Sequence, residues 1–299
     1  MKKIKSPFNR VGNKYRMIET LLKKFKEAEF SFFYDVFMGG GDVSINVLSS
    51  LPNVFICGTD IERHLIGTIN HVLLSKNYEE VERDIDAIIE ENGLSKTGAK
   101  NEYYAYRDKF NKMSDTGDKY RYYAHFFALL SHSFNYDIRF NSDGEFNVAS
   151  GDNRSSFNDS MRKNMKEASY VLRENSDRCS FKVQNFIDMN IKSIISDHKT
   201  IGTKALFYFD PPYILTDTNY MKSWDEKLEQ KLIDSIEMID RSGNYFVLSN
   251  VLSHKGKTNE ILNAVLHKYS VQYPNVSYDN SNYHSERDKK SVEVLLSNF

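Results

Sequence analysis

The sequence predicts an α/β fold, a core of alternating strands and helices interrupted by a mainly helical insertion. Three observations predict it. Near the start, an aromatic-rich strand-like run, Ser31-Phe32-Phe33-Tyr34-Asp35-Val36-Phe37, meets three glycines, Gly39-Gly40-Gly41, and then a helix-like stretch and a second short strand. Residues 75–179 are polar and charged, with helical patterning. After them, apolar strand-like runs and helical patterns alternate again to the end of the sequence.

Taken in order, Met17, Leu21, Leu22 and Phe25 stand at helical spacing and predict an amphipathic helix over 14–28. The strand over 31–37 follows, then a helix over 42–51 and a strand at Val54-Phe55-Ile56-Cys57-Gly58 that ends near Asp60. Helices are predicted near 78–91, 101–113 and 118–132. Asp137–Phe140 and Glu145–Val148 flank the turn Asn141-Ser142-Asp143-Gly144, where the Asp-Gly step predicts a hairpin. Strands over 206–209, 245–248 and 291–296 then alternate with helices over 225–241 and 257–269.

Composition excludes several classes. The 299 residues are 40% hydrophobic and 13% aromatic, enough for a real core, so global disorder is out. The uncharged apolar stretch around Phe126–Leu130 is far too short to span a membrane, and the basic Met1–Pro7 segment lacks the apolar run of a signal peptide. Two cysteines, Cys57 and Cys179, argue against a disulfide framework and fit a reducing cytoplasm. The eight histidines show no metal-ligand spacing, so no metal is expected. The net charge of −1 hides an asymmetry: residues 1–26 hold nine Lys and Arg against Glu19 alone, leaving a local basic face.

Two constellations carry chemistry. In Phe37-Met38-Gly39-Gly40-Gly41-Asp42, glycines between strand and helix let a ligand approach the backbone. Asp60, at the end of the next strand, can accept both hydrogens of a ribose diol. The pattern matches neither a standard NAD fingerprint nor a P-loop. The second is Asp210-Pro211-Pro212-Tyr213, directly after an apolar strand. Two prolines fix a rigid loop. It offers a carboxylate, a carbonyl and an aromatic face, a set suited to a planar base bearing an exocyclic amine.

These motifs resemble the glycine-loop and DPPY motifs of S-adenosylmethionine-dependent amino-methyltransferases acting on nucleic-acid bases. Phe8-Asn9-Arg10-Val11-Gly12-Asn13-Lys14 is similar to the amino-terminal Lys motif of Dam-type DNA adenine-N6 methyltransferases. Ser133–Asn141 with Gly144–Val148 resembles their recognition hairpin, and Ser249-Asn250-Val251-Leu252, Asn282-Tyr283-His284-Ser285 and Glu293-Val294-Leu295 resemble the bacteriophage branch. The likeness spans nearly the whole chain, in the family's motif order.

The resemblance implies a Rossmann-like S-adenosylmethionine-dependent methyltransferase sheet with helices on both faces. Residues 1–74 and 180–299 would form the catalytic domain and 75–179 the target-recognition domain, mainly helical with a β-hairpin. It implies catalysis by Asp210, Pro211, Pro212 and Tyr213, and cofactor binding by Arg10, Asn13, Lys14, Phe37, Gly39, Gly41, Asp60, Phe186 and Asp210. Phe134, Asn135, Tyr136, Arg139 and Asn141 would meet DNA, with Arg139 reading a guanine beside the target adenine. The implied reaction is methyl transfer from S-adenosylmethionine to a flipped adenine in duplex DNA, within GATC or a related site. The setting would be the cytoplasm of a bacterial or phage-infected cell, with a cognate restriction endonuclease as an optional partner. Four positions depart from the pattern: Asp137 and Ala149 stand where the family touches a thymine of GATC, Asn185 where an acid is usual, and Arg10 where an aromatic is usual. The alternatives are an RNA or protein amide N-methyltransferase and a catalytically silent DNA-binding protein; Asp210, where amide methylases carry Asn, and the intact motif argue against them.

Overall fold

The computed structural model describes residues 2–9, 12–96, 98–215, 224–274 and 291–299. Arg10 and the Asn282–Ser285 motif lie outside them. The chain forms two compact units, one of Met1–Tyr15, Gly39–Ser49 and Glu62–Val183, the other of Arg16–Met38, Ser50–Ile61 and Gln184–Phe299.

The second unit is built on a sheet. Its strands are β1 (Phe32–Asp35), β2 (Phe55–Asp60), β4 (Ala205–Phe209), β5 (Tyr245–His254), the short β6 (Lys257–Thr258), β7 (Ser270–Gln272) and β8 (Val292–Ser297). Their order is β2–β1–β4–β5–β8–β7, with β6 pairing β5. β1 runs parallel to both β2 and β4, and β4 parallel to β5. β8 is antiparallel to β5 and β7. From β1 the chain turns outward to β2, and after the insertion it resumes on β1's other side with β4. A switch point of this kind leaves a crevice at the carboxyl ends of the strands, between β1 and β4.

Period-2 alternation decides what each face buries. Phe33 and Tyr208 face one side, where Phe25 of α1 (Ile18–Phe25) packs edge-on at 5.0 and 5.6 Å. Phe207, Phe209, Phe246 and Leu248 face the other, against α8 (Ile191–Ile201), α9 (Glu226–Arg241) and the short α10 (Glu260–Asn263). Helices thus cover both faces. Leu232, Ile233, Ile236 and Ile239 form the α9 stripe that is buried, each worth about 1.5–3 kcal/mol by removal from water.

The first unit is helical. It holds α2 (Asp42–Ser50, whose last residue falls in the other unit), α3 (Arg63–Thr68), α4 (Tyr78–Glu91), α5 (Lys100–Phe110), α6 (Lys119–Ser131), α7 (Asp159–Glu174) and the strand β3 (Cys179–Val183). Every residue of α6 from Tyr122 to Ser131 is buried, which makes it the central helix. Amino-terminal caps fall on Asn77, Asp118 and Asn158, each accepting a backbone N–H from three residues on.

Three expectations change. The helix predicted over 257–269 is instead β6, α10 and a single 3-10 turn over Leu266–Lys268, because Gly256 (φ 76°) turns the chain back onto β5 and Asn259 restarts a helix by capping Leu262. The hairpin of the insertion forms no regular strands; it is held by isolated bridges, Ser133 with Ser150 and Phe140 with Phe146. Finally, α3, α7, α8, β3 and β7 add elements that the apolar periodicity did not announce.

Candidate active site and recognition segment

In the sheet unit, the predicted residues gather at the carboxyl ends of adjacent parallel strands. Val36 N–H donates to the Tyr208 carbonyl (3.0 Å), which sets the end of β1 beside the end of β4. Phe37 follows β1, and Asp210–Tyr213 follows β4. Asp60 closes β2, where its carbonyl accepts from Gln184 N–H (2.9 Å). Thr59 hydroxyl donates to the Val36 carbonyl (3.0 Å) and Met38 N–H to the Thr59 carbonyl (2.9 Å), tying the ends of β1 and β2 together.

Within the Asp-Pro-Pro-Tyr loop, the Tyr213 hydroxyl donates to Asp210 Oδ1 (2.9 Å). Pro211 is buried, while Asp210, Pro212 and Tyr213 are partly exposed. Beneath the loop lies Tyr208. Burial above all, with Asp210, Tyr213 and Asp35 nearby, pushes its phenol far above the ordinary value, so it stays neutral and adds no charge beside Asp210.

Phe37 is half-buried and meets Phe186 (5.3 Å between centroids) and, edge-on, Trp224 (5.5 Å). Phe186 itself is 5% exposed and belongs to the core, so it backs the aromatic wall and offers little face of its own. Trp224 is fixed from behind. Its indole N–H donates to Glu229 Oε2 (2.7 Å), and Glu229 Oε1 accepts from Asn250 (2.9 Å) and Asn259 (2.7 Å). Glu229 is fully buried at 0% exposure. Burying a polar group is costly unless hydrogen bonds replace its water, and three N–H donors do so here.

In the helical unit, the glycine loop and the amino-terminal segment form one structure. Gly41 has φ 85°, a conformation that glycine adopts without strain. A side chain at Gly40 would press on Ser6 Oγ at 3.0 Å and Phe8 at 3.3 Å. Ser6 hydroxyl donates to the Gly40 carbonyl (2.7 Å), Ser6 N–H donates to Asp42 Oδ1 (2.9 Å), and Ile4 N–H to Asn46 Oδ1 (2.9 Å). Asp42 is 5% exposed, and burial pushes its carboxyl up to about 6, against the pull of Ser6 N–H, Lys5 and Lys14. Lys14, the predicted Lys-motif residue, is buried at 6% exposure, and Asn13 Oδ1 accepts from Tyr15 N–H (3.3 Å). Asp42 closes the glycine-loop motif in the sequence, but no role was read for it there; an acid at a helix start was its one signal.

The recognition segment follows α6. Phe134 is 44% exposed, and Asn135 and Tyr136 both have φ 54°, a left-handed conformation costly for residues with a side chain. Arg139 is exposed and donates to Asn147, from Nε to Oδ1 (2.8 Å) and from Nη2 to the carbonyl (3.1 Å). Asn141 shapes the turn: its Oδ1 accepts from Asp143 and Glu145 N–H and its Nδ2 donates to Glu145. Asp137 Oδ1 accepts from Ile138 N–H (3.0 Å), and the Ala149 carbonyl from Phe134 N–H (2.8 Å). Among the described residues no group of three or more His, Cys, Asp or Glu is placed to hold a metal, and no helix is long and apolar enough to cross a membrane.

Comparison with known proteins shows the family. A model of the D12 class N6 adenine-specific DNA methyltransferases matches residues 11–280. The chain is 33% identical over 302 residues to the type II methyltransferase M.FokI of Planomicrobium okeanokoites, covering 99% of this chain and 43% of that protein. It is 31% identical over 306 residues to the modification methylase StsI of Streptococcus sanguinis, covering 100% and 43%. To the DNA adenine methylase of Escherichia coli K12 it is 25% identical over 217 residues, covering 71% and 66%. The chain thus spans less than half the length of the first two relatives.

Proposed function

Because the chain belongs to the family of D12 class N6 adenine-specific DNA methyltransferases, we propose that it transfers a methyl group from S-adenosylmethionine to N6 of an adenine in duplex DNA. The observation that carries this reading is the gathering of Phe37, Asp60 and Asp210–Tyr213 at the carboxyl ends of β1, β2 and β4, around the switch point.

The residues suit the donor. Phe37, backed by Phe186 and Trp224, gives an apolar wall for a purine, and the Asp60 carboxylate an acceptor for ribose hydroxyls. By resemblance alone, Arg10, Asn13, Lys14, Gly39 and Gly41 stand at the motif positions where the family holds this donor. When bound, S-adenosylmethionine supplies a methyl group already activated on a sulfonium, which needs no metal.

The chain's own residues do the rest. The target adenine is buried in the base stack, and flipping it costs a few kcal/mol. The exposed Phe134 and the left-handed Asn135 and Tyr136 would meet the opened stack, and Asn141 would hold the hairpin turn against DNA. Tyr213 would stack on the flipped base. Asp210 and the Pro211 carbonyl would accept hydrogen bonds from the N6 amine and stabilise the positive charge developing on N6 as its lone pair forms the N–C bond; the S–C electron pair would leave with S-adenosylhomocysteine and the surplus N6 proton would pass to solvent. Pro212 keeps the loop rigid, so that alignment, worth several kcal/mol, is set in advance.

On this reading residues 1–74 and 180–299 are the catalytic domain and 75–179 the target-recognition domain. The setting is the cytoplasm, and two relatives are named as a type II methyltransferase and a modification methylase, so a cognate restriction endonuclease is the proposed partner. The site contains guanine beside adenine, as GATC does. Methylation-sensitive sequencing of DNA from cells expressing the chain tests all of this. N6-methyladenine confined to one motif is expected, and none with Asp210→Ala. Equal methylation by that variant would refute the proposed role of Asp210.

A further inference from the structure

In the antiparallel pairing of the recognition segment, Asn147 N–H donates to the Arg139 carbonyl (3.0 Å) and Asn141 N–H to the Glu145 carbonyl (2.9 Å). These bonds flank Phe140 and Phe146, which makes those two a non-hydrogen-bonded pair whose own N–H and C=O groups point outward. In a wider sheet a third strand would take them. On the Phe146 side the side chain of Asn111, immediately after α5, does so. Phe146 N–H donates to Asn111 Oδ1 (2.9 Å), and Asn111 Nδ2 donates to the Phe146 carbonyl (3.1 Å). The Phe146 ring is fully buried, edge-on to Phe126 and Phe140.

The next residue is Asn147, and it holds Arg139. Its Oδ1 and carbonyl take the Nε–Nη2 edge of the guanidinium. A guanidinium has two edges with paired donors. With one edge held by Asn147, the Nη1–Nη2 edge is the one aimed outward, with the geometry that matches guanine O6 and N7.

We propose that Asn111 is a positioning residue for base recognition: by completing the outer hydrogen bonds of Phe146 it sets the register of Asn147 and hence the direction of the Arg139 fork. The proposal rests on the reading of Arg139 as the guanine contact. It explains how a segment with only isolated bridges can present an arginine in a fixed pose. A rigid fork discriminates; a loose one contacts phosphate and bases alike.

The test compares methylation of a duplex carrying guanine beside the target adenine with one carrying 7-deazaguanine, which lacks the N7 acceptor. A bidentate arginine–guanine pair is worth roughly ten- to hundredfold in discrimination, and the wild type should show a ratio of that order. Asn111→Ala should lower the ratio about tenfold or bring it to one. Its affinity for S-adenosylhomocysteine, measured by calorimetry, should be unchanged. Exchange of the Phe146 amide with deuterium should rise at least about tenfold, as a freed amide exchanges. Asn111→Asp, nearly isosteric, keeps the acceptor and loses the donor, and should fall between, so the test stands even if the alanine variant folds poorly. Adding Asn111→Ala to Arg139→Ala should change the ratio no further, as two residues acting through one contact require.

Wild-type discrimination by Asn111→Ala, with Phe146 exchanging freely, overturns the proposal. A further fall in the double variant overturns it as well. A wild-type ratio in Arg139→Ala alone overturns the underlying reading of Arg139 instead.

Discussion

Asp42 is where single-residue electrostatics is most informative. Its folded value of about 6 lies above the ordinary 3.8. The folded state therefore holds this proton more tightly than the unfolded chain. Its stabilising effect is complete below about pH 3.8 and is lost as pH rises through about 6. Asp42→Asn keeps an acceptor for Ser6 N–H without the buried charge. It should stabilise the protein by about 3 kcal/mol above pH 7, with the gain vanishing towards pH 4. Urea unfolding of both proteins across that range measures it; an equal gain at every pH would refute the assignment. The glycines and the Asp-Pro-Pro-Tyr loop were legible because their chemistry is written in consecutive residues. The role of Asp42 was not, since its cost comes from burial beside Ser6, more than thirty positions earlier.

At the scale of elements, Glu229 joins pieces that the sequence keeps apart. Its carboxylate meets the indole of Trp224 before α9, Asn250 within β5 and Asn259 before α10. Glu229→Ala strands three buried N–H donors, each costing about 1–3 kcal/mol, so a loss of at least about 3 kcal/mol is expected from denaturant unfolding. Trp224 is the single tryptophan of the chain, so its emission reports on this network directly and should shift in the variant. Unchanged emission and stability would mean that the carboxylate holds nothing in place. Periodicity found α9 because its apolar stripe repeats along one helix. It missed the break at Gly256 and read 257–269 as one helix, since the pairing of Lys257 and Thr258 with β5 is a tertiary preference. The recognition segment was read as a hairpin from its Asp-Gly turn; its arms meet only at isolated bridges, and Asn111, a helix-end residue, takes the outer bonds of Phe146 that a further strand would take.

For the whole molecule, the units are not consecutive stretches of sequence. The helical unit draws on Met1–Tyr15, Gly39–Ser49 and Glu62–Val183. Its parts are tied by Lys2 to Glu167 (2.9 Å), Arg178 to the Leu48 carbonyl (3.2 Å) and the edge-on rings of Phe8 and Phe127 (5.9 Å). Residues 62–183 expressed alone should therefore unfold at a lower urea concentration than the intact chain. Adding 39–49 and 1–15 as peptides should recover part of the difference. A fragment as stable as the intact chain would show that those segments contribute nothing. Strand and helix patterning foretold a sheet with an inserted helical part. That the amino-terminal segment and the glycine loop share a unit with that insertion is invisible to pattern reading, because it depends on contacts such as Ile4 with Asn46.

The position of β1 also has a consequence during synthesis. β2 reaches its near side soon after it emerges, but β4, its other neighbour, begins only at Ala205. A ribosome adding ~5–20 residues per second takes on the order of ten seconds to cover that interval. For that time Phe32, Phe33 and Tyr34 form an aromatic strand with one open edge, the kind of template that recruits other nascent chains. Yield in the cell should accordingly depend on translation speed through the insertion and on the supply of chaperones that shield apolar segments.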